Sequence, residues 1–413
     1  ESLQVVGTAE TGSGESRAFL WEDGETRDLG TLGGGWSTAS DVNGWGQVTG
    51  TSVTGAGEAR AFFWAGGTMY EIGTLGGRES HGVAVNDRGE VAGYSTTATG
   101  EVHAFLWSRG RMQDLGTLGG SGSFTAAAND RGDVVGRSTA RDGAGHAFLW
   151  SGGEISGLTP GAARSSSAVE VSEAGHVLVN ARDGGRGRAH VWTDGILTSL
   201  EAPEDGTAVA ADINNEGHAV GQVSVPSGGT RAVLWREDGR AVSLHASGYS
   251  ESSTATGVSE AGQVVGAIRP RKESSSRAFS WSEGTLRTLE PEAFDRPPGS
   301  TAGVAVTASG VILGLATDSS GGVRSFLWTA PSGAHPEPDS DSGRFQRSGG
   351  SGPRLQVGEA TGAPKAVAEE TRRAPAPLSA ESPIGRAVRG LAGGESGRPQ
   401  MAWPRSLSVL LEQ

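Results

Sequence analysis

Short apolar runs separated by turn residues fill the first 328 positions of the chain. Most are four to five residues long and rich in Val, Leu, Phe and Trp, as at 83–86, 90–94, 103–107 and 112–116. Runs of this length, bounded by Gly-containing turns, are typical of β-strands. Gly and β-branched residues interrupt every stretch that is long enough for a helix. The pattern therefore predicts an all-β protein.

One motif recurs eight times and sets the period of the chain. It begins with Arg or His and ends with Trp, as in Arg60-Ala-Phe-Phe-Trp64. The intervals between the eight tryptophans are 43, 43, 43, 42, 43, 46 and 47 residues. Each interval holds four strand-length runs, labelled A to D, which form a predicted antiparallel meander. Four-stranded modules at about 43 residues match the blades of a β-propeller.

The link between runs A and B carries a turn signal. An Asn, Ser or Thr is followed three residues later by Gly, as at Asn86 and Gly89, and this pair occurs seven times. The polar side chain can bond the nearby backbone, and Gly accepts the left-handed conformation that closes the turn. Tight A–B and C–D turns then share one face of the disc, the turn face. The B–C loops and D–A crossovers share the other, the loop face, where function is expected.

The ends of the repeat region leave the blade count open. Runs B and C occur eight times, whereas runs A and D occur seven times each. We favour eight blades with two incomplete ones; seven blades with surplus strands, or a chain that lacks an N-terminal part, are the alternatives. Residues 1–328 are the predicted propeller. Residues 329–413 hold ten of the 17 prolines and no repeat, which predicts a disordered tail.

Composition and charge exclude several classes of protein. The chain has 69 Gly and no Cys, so disulfides and cysteine-ligated metals are excluded. Its formal net charge of -13 argues against a nucleic-acid partner. No apolar run reaches the roughly 18 residues of a membrane span, and no signal-like segment follows Glu1. We expect a monomer.

The repeated motifs resemble the HAF-repeat family of bacterial proteins. The resemblance rests on the motif ending in Trp, on Asp-Leu-Gly-Thr-Leu-Gly-Gly at 28–34 and on Asn-Asp-Arg-Gly-Asp-Val-Val-Gly at 129–136. It covers residues 3–328 and is most specific in the first four blades. It implies a propeller-like fold and an extracellular or cell-surface location, and it brings no catalytic residues.

A small polar residue recurs in the predicted crossovers, and the residues around it change from blade to blade. It lies at Ser37, Ser80, Ser123, Ser166, Ser253 and Thr301. Aromatic and hydrogen-bonding neighbours suit a sugar or peptide ligand. The alternative is that the hydroxyl caps the loop and its neighbours are ordinary solvated residues. The candidate ligand-binding residues are Trp36, Arg78, Glu79, His81 and Phe124.

Two further sets of charged residues recur. A basic residue opens each C run and either holds an anion or repeats one structural bond. These residues are Arg17, Arg60, His103, His146, Arg188, Arg231, Arg277 and Arg324. Asp41, Glu170 and Asp212 share one A-run position, and we expect them to be too few, and not adjacent in the ring, for a cation site.

The chain shows none of the catalytic motifs that we sought. It contains no His-Glu-x-x-His and no Gly-x-Ser-x-Gly elbow, and no metal or cofactor is predicted. We therefore expect a non-enzymatic propeller that binds a glycan, peptide or protein on its loop face. The alternatives are a polysaccharide lyase or glycosidase on the same face and a structural or adhesion spacer.

Overall fold

The computed structural model describes residues 3–159, 161, 163–202, 206–225, 228–244, 250–271, 273–289, 299–317 and 323–329. These residues form thirty β-strands. No helix occurs within these ranges, and hence none that could cross a membrane. The predicted disordered tail over 329–413 lies outside the described residues, apart from Thr329.

The strands follow the predicted repeat. Blade 1 contains β1 (Gln4–Glu10), β2 (Ser16–Glu22) and β3 (Glu25–Asp28); blade 2 β4 (Gly33–Val42), β5 (Val48–Thr54), β6 (Ala59–Ala65) and β7 (Thr68–Glu71); blade 3 β8 (Gly76–Val85), β9 (Val91–Thr97), β10 (Val102–Ser108) and β11 (Arg111–Asp114); blade 4 β12 (Gly119–Ala128), β13 (Val134–Ala140), β14 (Gly145–Ser151) and β15 (Glu154–Gly157). Blade 5 contains β16 (Ser165–Val171), β17 (Val177–Asp183), β18 (Arg186–Thr193) and β19 (Ile196–Ser199); blade 6 β20 (Ala208–Ile213), β21 (Ala219–Ser224), β22 (Thr230–Trp235) and β23 (Ala241–Ser243); blade 7 β24 (Ser250–Val258), β25 (Val264–Pro270), β26 (Arg277–Ser282) and β27 (Thr285–Leu289); blade 8 β28 (Thr301–Val306), β29 (Ile312–Thr317) and β30 (Val323–Trp328).

Blades 2 to 7 are four-stranded antiparallel meanders, and blades 1 and 8 have three strands each in the described residues. The prediction of an all-β propeller with four-stranded blades is confirmed, with the eight blades that the repeats favoured. One parallel backbone pair, Val102 with Gly122, joins blades 3 and 4. Neighbouring A strands contact each other around the ring, so they lie innermost and line the central channel.

Blade faces bury the repeated aromatic residue against a glycine. Phe105 is fully buried and lies opposite Gly93 on the neighbouring strand. A Cβ on Gly93 would lie 2.0 Å from the carbonyl oxygen of His81 and 2.8 Å from the Phe105 ring. A side chain at this position is therefore excluded, and the ring covers the bare backbone instead.

The recurring serine lies inside the A strands and not in the crossovers, where we predicted it. The crossovers end early because Gly33, Gly76 and Gly119 turn the chain with φ of 98°, 98° and 99° and already begin the A strands. The Ser80 hydroxyl accepts a hydrogen bond from the Ala61 amide of blade 2 at 2.9 Å and donates to the Gly73 carbonyl at 2.6 Å. The serine is therefore a link between blades.

The ring closes through apolar packing. Val5 of blade 1 is buried against Leu313 and Leu327 of blade 8, with Trp21 and Val304 packed beside them. The two incomplete blades thus bury their faces against each other, as every other neighbouring pair does.

Candidate functional site

The five predicted ligand-binding residues all lie on A strands, towards the loop-face end of the channel. Trp36 lies on β4, and Phe124 lies on β12. The other three, Arg78, Glu79 and His81, lie on β8. A strands enter from the crossovers and leave into the A–B turns, so the early positions of each strand are near the loop face. The structure therefore places these residues on three consecutive blades at one end of the channel.

Two of them join a row of aromatic rings between blades 3 and 4. The His81 and Tyr94 rings stack with centroids 5.1 Å apart and planes 22° apart. Tyr94 in turn contacts Phe124 of blade 4 at 5.3 Å and 58°. Sequence reasoning missed Tyr94, which lies directly opposite His81 in the β8–β9 register. The signal was present, because Tyr94 follows the glycine of its B strand, where other blades carry residues such as Thr51.

Glu79 belongs to the same group. It lies two residues before His81, so both side chains point to the same side of β8. Burial, and then the charge of Glu79, raises the pKa of Tyr94 to about 12. The Glu79 Oε2 atom is buried and has no hydrogen-bond partner among the described residues. We refer to Glu79, His81, Tyr94 and Phe124 as the mouth cluster.

The imidazole of His81 is held on one side only. Its Nδ1 lies 3.1 Å from the Thr51 hydroxyl of blade 2, whereas Nε2 is buried without a partner in the described part of the chain. Burial lowers the pKa of His81 to about 4, so the ring is neutral near pH 7. The mouth cluster thus contains two buried polar atoms, on Glu79 and His81, whose hydrogen-bonding capacity is unused.

Arg78 and Trp36 lie outside the mouth cluster. The Arg78 side chain is 85% exposed, and its Nε lies 3.3 Å from the Glu58 carboxylate on the rim. Trp36 is half-buried one blade away, at the position that Glu79 occupies in blade 3. Both are on the same face as the cluster without a ring contact to it among the described residues.

Several of the recurrent basic residues pair with acids of their own blade. Arg17 binds Glu15 at 2.7 Å and Arg60 binds Glu58 at 2.6 Å. His103 lies 2.8 Å from Asp114. These contacts favour the structural interpretation of the basic ring for these three blades.

The three channel carboxylates link neighbouring A strands near the turn face. The Val85 amide of blade 3 donates to Asp41 at 2.9 Å, and the Val258 amide of blade 7 donates to Asp212 at 2.8 Å. Burial raises the pKa of Asp41 to about 7 and that of Asp212 to about 6. The described residues contain no group of three acids or histidines suited to a metal ion.

Our expectation that these carboxylates are not adjacent in the ring was wrong for two of them. Glu170 and Asp212 lie one repeat apart, in blades 5 and 6. Burial, and then the charge of Asp212, raises the pKa of Glu170 to about 8. This pair is therefore protonated in part near neutral pH.

Comparisons with known proteins show the fold and no family. No family model and no curated protein matches the chain. Dipeptidyl peptidase 4 of Porphyromonas gingivalis is similar in structure with a TM-score of 0.53 and 7% identity, over 78% of this chain and 57% of that one. A puromycin-hydrolysing peptidase of Mycobacterium tuberculosis matches with a TM-score of 0.47 and 11% sequence identity, over 76% of this chain and 57% of that one.

TolB of Acinetobacter baumannii is a further match, at a TM-score of 0.37 and 11% identity, over 58% of this chain and 62% of that one. This chain therefore spans about three fifths or less of the length of each of these proteins. The matched proteins are β-propeller proteins, and at these identities the likeness shows the propeller fold alone.

Proposed function

We propose that this protein is a non-enzymatic, secreted or surface-exposed binding module that holds a glycan at the mouth cluster. The proposal depends on one observation: the cluster combines aromatic rings with two buried polar atoms, Glu79 Oε2 and His81 Nε2, that have no hydrogen-bond partner among the described residues. A sugar offers an apolar C–H face for a ring and hydroxyls for the polar atoms. Buried polar groups without partners are costly, so a hydroxyl that satisfies them is favoured.

A location outside the cell is part of this proposal, and its support is the resemblance to HAF repeats, which rests on the motifs at 28–34 and 129–136. A peptide or protein ligand would use the same rings, and it is one outcome of the test below.

A polysaccharide-acting enzyme receives less support from the geometry. Glycosidases need two carboxyl groups that flank one bond. The mouth cluster contains one, Glu79. The carboxylate pair of Glu170 and Asp212 lies in other blades, at A-strand positions three to five residues further along, which is an offset in depth of roughly 10–16 Å at ~3.3 Å per residue. Sugar-stacking rings and paired carboxylates thus lie at different depths of the channel.

The test is binding to a glycan array by the full chain and its variants. We expect Phe124→Ala and Glu79→Gln to lower affinity at least tenfold, because each removes one half of the proposed contact. Phe63→Ala is the matched control, since the Phe63 and Trp107 rings pack 5.4 Å apart between blades 2 and 3, away from the mouth cluster.

Four results would contradict this proposal. If glycan affinity is unchanged in Phe124→Ala and Glu79→Gln, the mouth cluster is not the binding site. Binding to a peptide library and to no glycan would change the ligand class. Release of shortened products from a bound polysaccharide would favour the enzyme, and a spacer would tolerate all loop-face substitutions without loss of any interaction.

A further inference from the structure

A cavity of about 360 Å³ lies on the side of blade 5 that faces blade 4, apart from the mouth cluster. Asp183, Arg188, His190 and Ser199 line it, and Ala181 and Leu197 are its apolar walls. The lining side chains of β17 and β18 continue the face on which Val177 and Val179 pack against blade 4. The cavity reaches the loop face beside the crossover into blade 5, where Gly161 also lines it.

Blade 5 departs from the repeat at the positions around this cavity. The basic residue that opens strand C has two acidic neighbours in blade 2, where Arg60 lies 2.6 Å from Glu58 and 3.0 Å from Glu71. The equivalents of these two acids in blade 5 are Arg186 and Ser199. As a result, Arg188 has no ion-pair partner among the described residues.

The buried aromatic position has changed as well. Where blade 3 pairs Gly93 with Phe105, blade 5 pairs Val179 with His190. His190 is only 9% exposed, and its Nδ1 is buried without a hydrogen-bond partner in the described part of the chain. Burial, and then the charge of Arg188, lowers the pKa of His190, so its ring is neutral near pH 7 and carries one N–H donor.

These changes leave a cation, an imidazole and a hydroxyl on one side of the cavity, and no acidic side chain pairs with them among the described residues. A carboxylate is the group that guanidinium, N–H and O–H donors bind together. Asp183 lines the same cavity, also without an ion-pair partner among the described residues, and its carboxylate suits an ammonium group. Cavities of this volume hold small molecules, and the apolar walls accept a short aliphatic side chain.

We propose that this cavity binds a free α-amino acid, with its carboxylate on Arg188, His190 and Ser199 and its ammonium group towards Asp183. The site is independent of the glycan site at the mouth cluster. A peptide C-terminus or an acidic sugar offers the carboxylate without the neighbouring ammonium group, and so makes only half of these contacts.

The test is calorimetric titration of the full chain with a panel of L-amino acids, with acetate, ethylammonium and D-glucuronate as partial probes. We expect at least one amino acid to bind with a dissociation constant below about 1 mM and each partial probe to bind at least tenfold more weakly. Arg188→Gln and Asp183→Asn should each weaken the amino acid at least tenfold.

Arg60→Gln is the matched control, because it removes the equivalent basic residue from a blade without the cavity. It should leave binding unchanged. Thermal unfolding of each variant separates loss of the site from loss of the fold, and the exposed Asp183 is not expected to affect folding. No binding by any amino acid, equal affinity for D-glucuronate, or unchanged binding in a folded Arg188→Gln variant would each overturn the proposal.

Discussion

At the scale of single residues, one recurring hydroxyl joins six of the blades to the blade before them. Six of the seven A strands carry Ser or Thr at this position, and in each case the hydroxyl accepts the amide of the Ala in the preceding blade. Blade 6 has Ala208 instead. The recurrence was readable in the sequence, but its meaning was not, because the amide partner lies 19 to 23 residues away.

Ser123→Ala should destabilise the protein by about 1–3 kcal/mol, since it leaves the buried Ala104 amide without an acceptor. The Ser123 hydroxyl also donates to the Gly116 carbonyl at 2.6 Å, and that bond is lost too. The measurement is the free energy of unfolding in urea. Ser121→Ala, an exposed serine two residues earlier on β12, is the control and should change it by less than about 0.5 kcal/mol. Equal effects of the two substitutions would refute the link.

The glycine and aromatic pairs show that the repeat predicts packing partners as well as strand positions. Gly93 faces Phe105 in blade 3, whereas Val179 faces His190 in blade 5, and aligning the eight repeats by position reveals blade 5 as the one that lacks the glycine. Three members of the mouth cluster, Glu79, His81 and Phe124, were predicted from the sequence. Tyr94 was missed because it lies on a B strand, and its position opposite His81 depends on the β8–β9 register.

At the scale of elements, the A–B turn is both a local cap and a bond between blades. The side-chain oxygen of Asn86 accepts hydrogen bonds from the backbone amides of Arg88 and Glu90 at 3.2 and 2.9 Å. These bonds form the turn that the sequence predicts. Its side-chain amide donates to the Asn129 carbonyl of the next blade at 3.2 Å. The bonds within the turn can be predicted from a short segment of sequence. The bond to Asn129, 43 residues away, cannot, because it forms only when the blades pack side by side in the ring.

Asn86→Ser should keep the turn and remove the bond to blade 4, as Ser172 and Ser259 do at the same position in other blades. We expect a loss of about 1–2 kcal/mol in the free energy of unfolding. Faster amide exchange should be confined to the turns of blades 3 and 4. Thr99→Ala, which removes an exposed hydrogen bond from the B–C loop of blade 3, is the control. Exchange that rises across the whole molecule would argue against a bond of this kind.

At the scale of the whole molecule, the inward convergence of the A strands brings the channel carboxylates together. The raised pKa of Glu170, from an ordinary 4.5 to about 8, means that the folded state binds its proton more tightly than the unfolded chain does. Its contribution to stability is therefore present below about pH 4.5 and is lost as the pH rises through 8. No sequence pattern predicts this, since burial, which is the main cause of the raised pKa, and the nearby charge of Asp212 both arise only when the repeats meet in the ring.

In Glu170→Gln, the free energy of unfolding should fall less between pH 5 and pH 8 than it does in the wild type. At about 1.4 kcal/mol per pKa unit, the difference in free energy of unfolding between the two proteins should change by a few kcal/mol over this range, and by less where channel water screens the charge. Gln can still accept the Val171 amide, which lies 3.0 Å from the carboxylate. Urea unfolding at both pH values measures the effect. Glu154→Gln, on the exposed strand β15, should show the same pH dependence as the wild type.

The closing seam between blades 8 and 1 differs from the other junctions. Among the described residues it has no serine link and no asparagine bond, and it is held by Val5, Leu313 and Leu327. The blade count stayed open in the sequence for the same reason, because the two incomplete blades carry no mark of their contact. A ring whose closing junction has fewer bonds than the rest should open there first, as the weakest interface does in a repeat protein.

Leu313→Ala tests this by deleting a side chain that is 1% exposed in the seam. We expect a loss of about 2–5 kcal/mol, as for other buried leucines. In native-state hydrogen exchange, protection should fall first in segments 3–28 and 299–317, because these blades can separate while the others stay packed. Leu178→Ala deletes an equally buried leucine between blades 5 and 6 and should lower protection there without singling out the ends. Uniform loss of protection in Leu313→Ala would mean that the propeller unfolds as one unit and that apolar packing closes the ring as firmly as the hydrogen-bonded junctions.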